Sequence, residues 1–342
     1  MKTRCVIINN LKHTLHNPLS EVYMQQIVPY SENSKRAENI FNEISKLKNI
    51  VIKTPVRCTR KMLFEIHSAD YINYIKQISG MAIDEDDYRT PYVIPLKSKR
   101  SKLSTSKIDN VADYSMDVTT PIGKFTYQSA VHSADIAYTG AQNLIKGEKI
   151  VYSLCRPPGH HAEQSRCGGY CYINNAAIAA SFLSKQSKVT LLDIDYHHGN
   201  GSQEIFYNRN DVQYISIHAN PKYDYPYYTG FSDETGAGKG KRFNLNIPLE
   251  KNTSDKQYLS ALNIALNKIL KFNPGFLLVS LGVDTYENDP VGGFKLSKNV
   301  FQEIGQNIFQ LNLPTLIIQE GGYNTSEIGL LVKNFLKGFG IK

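Results

Sequence analysis

An α/β fold built on a parallel sheet is what this chain predicts. Five short apolar runs are nearly continuous rather than alternating, as strands covered on both faces are. Helical patterns lie between them from residue 129 to residue 320. Each apolar run ends in polar, chemically capable residues, and sites in such folds form outside the carboxyl ends of the strands.

Residues 129–146 read as the first helix of this region. The stretch is rich in alanine, places Ala134, Ala137, Ala141, Leu144 and Ile145 on one face, and has Gly147 where a C-terminal cap belongs. A strand at 150–155 (IVYSLC) runs into Arg156-Pro157-Pro158-Gly159-His160-His161. A helix at 175–185 leads to a strand at 189–195 (VTLLDID), which runs into Tyr196-His197-His198-Gly199-Asn200-Gly201. The strand at 212–218 (VQYISIH) ends in His218-Ala219-Asn220. A helix at 256–272 precedes the strand 276–284 (FLLVSLGVD), which ends in Asp284. A weaker helical pattern at 296–311 precedes the strand 315–320 (TLIIQE), which runs into Gly321-Gly322-Tyr323. Neither a repeat nor a linker divides the chain, so residues 1–342 read as one domain. Residues 80–123 are polar, contain Pro and Ser, and show weak periodicity; they read as a long insertion before the main sheet.

Composition excludes several classes. With 41% hydrophobic and 20% charged residues the chain is globular rather than disordered. It has no apolar run near the roughly 18 residues a membrane span needs, so no membrane partner is expected. The N-terminal stretch lacks a signal peptide's apolar core and cleavage site, and the reading is a cytoplasmic protein. Five cysteines, without a CxxC pair, argue against a disulfide framework or a cysteine zinc knuckle. The formal charge is +8. The lysines are scattered, except for LKSKRSKLSTSK at 96–107, and no aromatic-rich motif accompanies them. Nucleic acid is therefore not an expected partner.

The densest chemistry is in 191–206, where Asp193, Asp195, His197 and His198 fall within six residues after an apolar run. A carboxylate and an imidazole two apart at a strand end face the same way. Asp195, His197 and Asp284 form a carboxylate–imidazole–carboxylate ligand set that leaves room for water and substrate. One imidazole with two hard oxygens suits Zn2+, with Fe2+, Co2+ or Mn2+ as alternatives. The tandem His160-His161 sits on a stiff, proline-preceded loop and can divide the labour of general base and electrostatic stabiliser. A carboxylate partner would raise one pKa, and an amide partner would raise the other far less. Tyr323 follows two glycines that permit a sharp turn, and its phenol could donate to a developing oxyanion.

RPPGHH (156–161), GGYCYINN (168–175), DIDYHHGNG (193–201), SIHAN (216–220), LGVDTYENDP (281–290) and QEGGY (319–323) together resemble the zinc-dependent histone deacetylase superfamily. HNPLSEVYMQQIVPYSENSKRAENI (16–40), DYSMDVTTPIGKFTYQSAVHSA (113–134) and the Asn200 of HHGNG are most similar to its bacterial acetylpolyamine amidohydrolase branch. The resemblance implies the arginase/deacetylase fold, an eight-stranded parallel sheet flanked by helices on both faces. It implies Zn2+ on Asp195, His197 and Asp284. His161 is then the general base and acid with Asn200 as its partner, His160 the charged stabiliser paired with Asp193, and Tyr323 the donor to the acetyl carbonyl. Gly169, Tyr170 and Tyr225 would line a slot for a linear alkyl chain. A structural K+ would sit on Asp193 and Ser216 with the backbone carbonyls of Asp195, His197 and Ile217. In that branch the insertion builds a homodimer, which makes 80–123 a candidate dimer contact.

Two departures bear on the substrate. Tyr170 and Tyr225 stand where many deacetylases carry Phe, and Val291 stands where the vertebrate polyamine deacetylase has an acidic gatekeeper. Recognition of an amine would then fall to Asp113, Asp117 or the run Asp84 to Asp87. The function these residues predict is hydrolysis of the acetamide of small acetylated polyamines or diamines. The rival readings are a protein acetyl-lysine deacetylase with the same chemistry and a non-catalytic module that binds acetylated ligands.

Overall fold

The structure, a computed structural model, describes residues 4–9, 11–23, 26–90 and 114–342. Asp113, the stretch 96–107 and most of the insertion's middle lie outside them.

The N-terminal part contributes β1 (Cys5–Ile8), the strands β2 (Ser20–Tyr23) and β3 (Gln26–Pro29), α1 (Lys35–Ile44), β4 (Ile50–Lys53), α2 (Arg60–Ile66) and α3 (Ala69–Met81). After the insertion come α4 (Thr126–Ile145), β5 (Ile150–Ser153), α5 (Asn175–Leu183), β6 (Val189–Asp193), α6 (Asn200–Phe206), β7 (Val212–Ala219) and β8 (Asn244–Leu249). The chain closes with α7 (Asp255–Phe272), β9 (Phe276–Leu281), α8 (Val300–Phe309), β10 (Thr315–Gln319) and α9 (Ile328–Gly338). Eight strands pair side by side in the order β4-β1-β5-β10-β9-β6-β7-β8. Every neighbouring pair in this sheet is parallel. β2 and β3 form a separate antiparallel hairpin.

Because strand side chains alternate, each strand feeds two cores. Leu277, Val279, Leu281, Leu192 and Ile317 point to one, packed with residues of α1, α7, α8 and α9. Leu278, Leu191, Val189, Leu316 and Ile318 point to the other, with residues of α2, α3, α4 and α5. The continuous apolar runs are thus accounted for by burial on both faces. The helices carry local signals for their ends. Ser254 and Gln257 make a capping box at the start of α7, and Asn273 closes it in the left-handed region. Asn174 caps α5 by accepting from the Ala177 N–H.

The five runs appear as β5, β6, β7, β9 and β10, most of them shorter than their apolar spans. β6 stops at Asp193 and β9 at Leu281, so Asp195, His197 and Asp284 stand on the loops beyond, not on strand ends. His218 lies inside β7 rather than at its tip. α8 starts at Val300, four residues after the periodic pattern does. Ala134, Ala137, Ala141 and Leu144 are buried on α4, but Ile145 is 42% exposed, because a step of one residue turns it off that face. The remaining sheet strands, β1, β4 and β8, lacked a clear pattern. β1 and β4 have four residues each, and β8 (NLNIPL) lies at the sheet's edge, where alternate side chains are only half-buried.

Candidate active site

Four loops leave the carboxyl ends of neighbouring strands and meet. The loop after β6 is stitched by its own carboxylates: the Asp195 N–H donates to Asp193 Oδ1 (3.2 Å) and the His197 N–H to Asp195 Oδ1 (2.9 Å). These turns, rather than strand alternation, bring Asp195 and His197 to one side. The loop after β9 joins through the Tyr196 N–H, which donates to Asp284 Oδ1 (2.9 Å). The loop after β10 joins through the Gly321 N–H, which donates to Asp195 Oδ2 (2.8 Å).

His197 Nδ1 lies 3.3 Å from Asp195 Oδ1 and 3.2 Å from Asp284 Oδ2. One ligand atom from each residue lies within 4.8 Å of the others, and all three residues are buried. Burial and the nearby Asp195 charge push the Asp284 carboxyl up to about 7. Burial opposes a charge on His197, but the two carboxylates outweigh it and raise the ring to about 10. Two carboxylates this close in a dry site call for a cation. Side chains at Gly282 and Gly321 would collide with the Asp195 and Asp284 carboxylates, so glycine keeps the cradle open. The donor set fits a divalent metal.

The tandem histidines are held in opposite states. His160 Nδ1 is 3.1 Å from Asp193 Oδ2, and Tyr214 O–H also donates to that oxygen (3.0 Å). Burial works against charge on His160, but Asp195 and Asp193 outweigh it and raise the ring to about 10. His161 Nδ1 faces Asn200 Oδ1 at 2.8 Å. Burial, then the neighbouring His160 and His197, lower His161 well below the ordinary histidine range. The carboxylates about His160, and the burial and neighbouring rings about His161, thus push the two imidazoles in opposite directions.

Tyr323 follows Gly322, whose φ of +117° is outside the range of ordinary L residues. Its N–H donates to Asp289 Oδ2 (2.6 Å), and the Arg36 guanidinium lies 4.8 Å from its ring centre. The Tyr170 ring stands 5.6 Å from that of Tyr323, and Val291 packs against Tyr30, Tyr170 and Tyr323. Tyr225 meets the His161 ring edge-on at 4.8 Å. Gly169 has φ +54°, and a Cβ there would run into the His161 ring. Asp117 braces this wall. Its Oδ2 accepts from the Gly169 N–H (2.6 Å) and Tyr225 O–H (2.9 Å), and its Oδ1 from Thr119 and Thr120. Asp84 and Asp87 accept local backbone N–H groups. Asp193 and Ser216 are register partners on β6 and β7, and Ser216 Oγ contacts His218 Nδ1 (2.7 Å). Ile217 follows on β7, fully buried.

Sequence reasoning gave no role to several groups that order the site. Glu320 Oε2 accepts from the Gly159 and His160 N–H groups (2.7 and 3.2 Å), tying the histidine loop to β10. An acid at the end of the apolar run 315–320 was the available signal. Arg36, from α1, donates to the Gly322 and Glu320 carbonyls and pairs with Glu32. Nothing in its local sequence marks it.

A cluster that could hold a metal and a tandem histidine thus gather at the carboxyl ends of a parallel sheet in an α/β fold. The chain belongs to the family described as the histone deacetylase domain, which matches residues 30–339. It is a deacetylase-type hydrolase. It is 36% identical over 331 residues to acetylpolyamine amidohydrolase 2 of Pseudomonas aeruginosa, covering 96% of each chain. It is 35% identical over 338 residues to the acetylpolyamine amidohydrolase of Mycoplana ramosa, covering 97% and 98%. The crystal structure of acetylpolyamine aminohydrolase from Burkholderia pseudomallei superposes with a TM-score of 0.92 at 32% identity, over 98% of both chains. No described helix is long and apolar enough to cross a membrane.

Proposed function

We propose that the protein hydrolyses the acetamide of acetylated polyamines or diamines to acetate and free amine. The observation that carries this reading is the pairing of His160 with Asp193 and of His161 with Asn200 beside the Asp195–His197–Asp284 cradle. The names of the full-length relatives support the substrate class. Asp195, His197 and Asp284 would hold Zn2+, which when bound supplies a Lewis acid for the acetyl carbonyl and for water. Neutral His161, its Nδ1–H held by Asn200, takes the proton of the attacking water on Nε2 and later returns it to the leaving amine. His160, kept charged by Asp193, and the Tyr323 hydroxyl stabilise the negative oxygen that develops on the carbonyl. Gly169, Tyr170, Tyr225 and Val291 line the slot for the alkyl chain. Asp117 braces two of these, and Asp113 is kept as a further acid for the amine. Asp193 and Ser216, with the carbonyls of Asp195, His197 and Ile217, would hold K+. The chain works as one domain, in the cytoplasm, and pairs through 80–123 as a homodimer; a monomeric mass by light scattering would remove that last element.

The direct test is acetate release by the Zn2+-loaded protein from acetylputrescine, acetylcadaverine and acetylspermidine beside an acetyl-lysine peptide. Small amines should be preferred. A chelator should abolish turnover and Zn2+ restore it, and Tyr323→Phe should lower kcat by roughly 100-fold. A preference for the peptide would move the protein to the lysine deacetylases. Unchanged turnover in Tyr323→Phe or His161→Ala would overturn the mechanism.

A further inference from the structure

His161 can act as a base on Nε2 only while its proton sits on Nδ1, and the atom opposite Nδ1 decides that. An asparagine can present either a carbonyl oxygen or an N–H2 group there, since the two ends of an amide have the same shape. Here Oδ1 faces His161 Nδ1 at 2.8 Å. The opposite end, Nδ2, lies 3.0 Å from Glu163 Oε1 and 3.1 Å from the Tyr228 hydroxyl. Tyr228 O–H itself donates to the same Glu163 oxygen at 2.7 Å. Glu163, Tyr228 and Asn200 Nδ2 thus close a triangle on one amide N–H, and Nδ2 also donates to the His161 carbonyl (3.3 Å).

We propose that Glu163 and Tyr228 are positioning residues that lock the Asn200 amide, and through it the tautomer of His161. A flipped amide would set Asn200 Oδ1 against the Glu163 carboxylate and press N–H2 on His161 Nδ1, leaving an acceptor against an acceptor. The proton would then move to Nε2 and the base would be lost. The lock stands on the wall of a cavity of about 650 Å³, lined also by Gln203, Glu204 and Glu234. Without Glu163 and Tyr228, Nδ2 would keep only its longer contacts to the His161 carbonyl and Met116 Sδ (3.3 Å each), and water there could compete for either end of the amide. The inference rests on the reading of His161 as the base.

The test uses Zn2+-loaded protein labelled with 15N-histidine, with His161 assigned from the signal missing in His161→Ala. Long-range proton–nitrogen spectra separate a protonated ring nitrogen from a bare one. Wild type should carry the proton on Nδ1. Glu163→Ala, and the milder Tyr228→Phe at a half-exposed side chain, should show His161 shifted towards the Nε2–H form. Their kcat should fall on the order of 10-fold while KM stays put. An aspartate at position 200 has two equivalent oxygens and cannot be misoriented, so adding Glu163→Ala to Asn200→Asp should cost less than 2-fold beyond Asn200→Asp alone. An unchanged tautomer in both single variants, or the same loss from Glu163→Ala in both backgrounds, overturns the lock. A wild type that releases no acetate, with the tautomer still following Glu163, overturns the functional reading and leaves the lock standing.

Discussion

Gly169 shows how tightly single residues constrain the base. A side chain there must adopt a left-handed backbone at a cost of about 1–2 kcal/mol, and its Cβ would meet the His161 ring. Gly169→Ala should keep the fold yet lower kcat by roughly 10- to 100-fold, since small misplacements of reacting groups cost this much. Circular dichroism and steady-state kinetics would check both halves, and normal turnover would show that the ring has room to move. The residue types of the candidate site were legible in the sequence only as a set: a tandem histidine or a GGY turn is weak evidence alone, and the order and spacing of all the motifs together is what singles them out. Their placement was not. Asp195 and His197 face one way because of two carboxylate-stitched turns beyond β6, and strand alternation predicts the same outcome for the wrong reason.

At the scale of elements, α1 reaches the site through Arg36. This guanidinium ties the carbonyls of Glu320 and Gly322, faces the Tyr323 ring and pairs with Glu32, which also pairs with Arg156. Removing one member of a buried pair leaves its partner uncompensated. Arg36→Ala should therefore lose about 3 kcal/mol of stability and lower kcat more than it changes KM, because the loop carrying Tyr323 loses its anchor. Urea unfolding and kinetics measure the two effects, and a loss of stability with kcat intact would leave α1 a purely structural support. The amphipathic pattern of α1 says which side is buried. It does not say that the buried arginine, 284 residues away in sequence, meets Glu320.

For the whole molecule, pH acts through buried neutral histidines outside the metal cradle. Burial lowers His67 and His218 to about 4. In His67 the ring donates from Nδ1 to the Glu163 carbonyl (2.9 Å) and accepts the Asn174 N–H at Nε2 (2.9 Å). An unfolded histidine titrates near 6.5. Between 6.5 and 4 the unfolded chain therefore binds protons that the folded chain does not. Stability is full above about 6.5 and falls with pH below it, by up to about 3 kcal/mol for each histidine. His67→Gln can still donate and accept, so it should flatten the drop in urea midpoint between pH 7 and pH 5; an equal drop in both proteins would place the acid sensitivity elsewhere.

The sequence by itself determined the class of fold and the chemistry available. Nearly continuous apolar runs must be covered on both faces, and polar groups at their ends must gather at one edge of the sheet. Both follow from spacing along the chain, which a sequence records. Only the tertiary structure decided where three of the eight strands lie, since β1 and β4 are short and stand before the alternating strand–helix region, and β8 is too polar to announce itself. It alone decided which buried charges meet, as with Arg36 at Tyr323, Glu320 under His160, and Glu163 at the far side of Asn200. These contacts join segments through space, and a carboxylate that orders a catalytic loop looks, in one dimension, like any other acid.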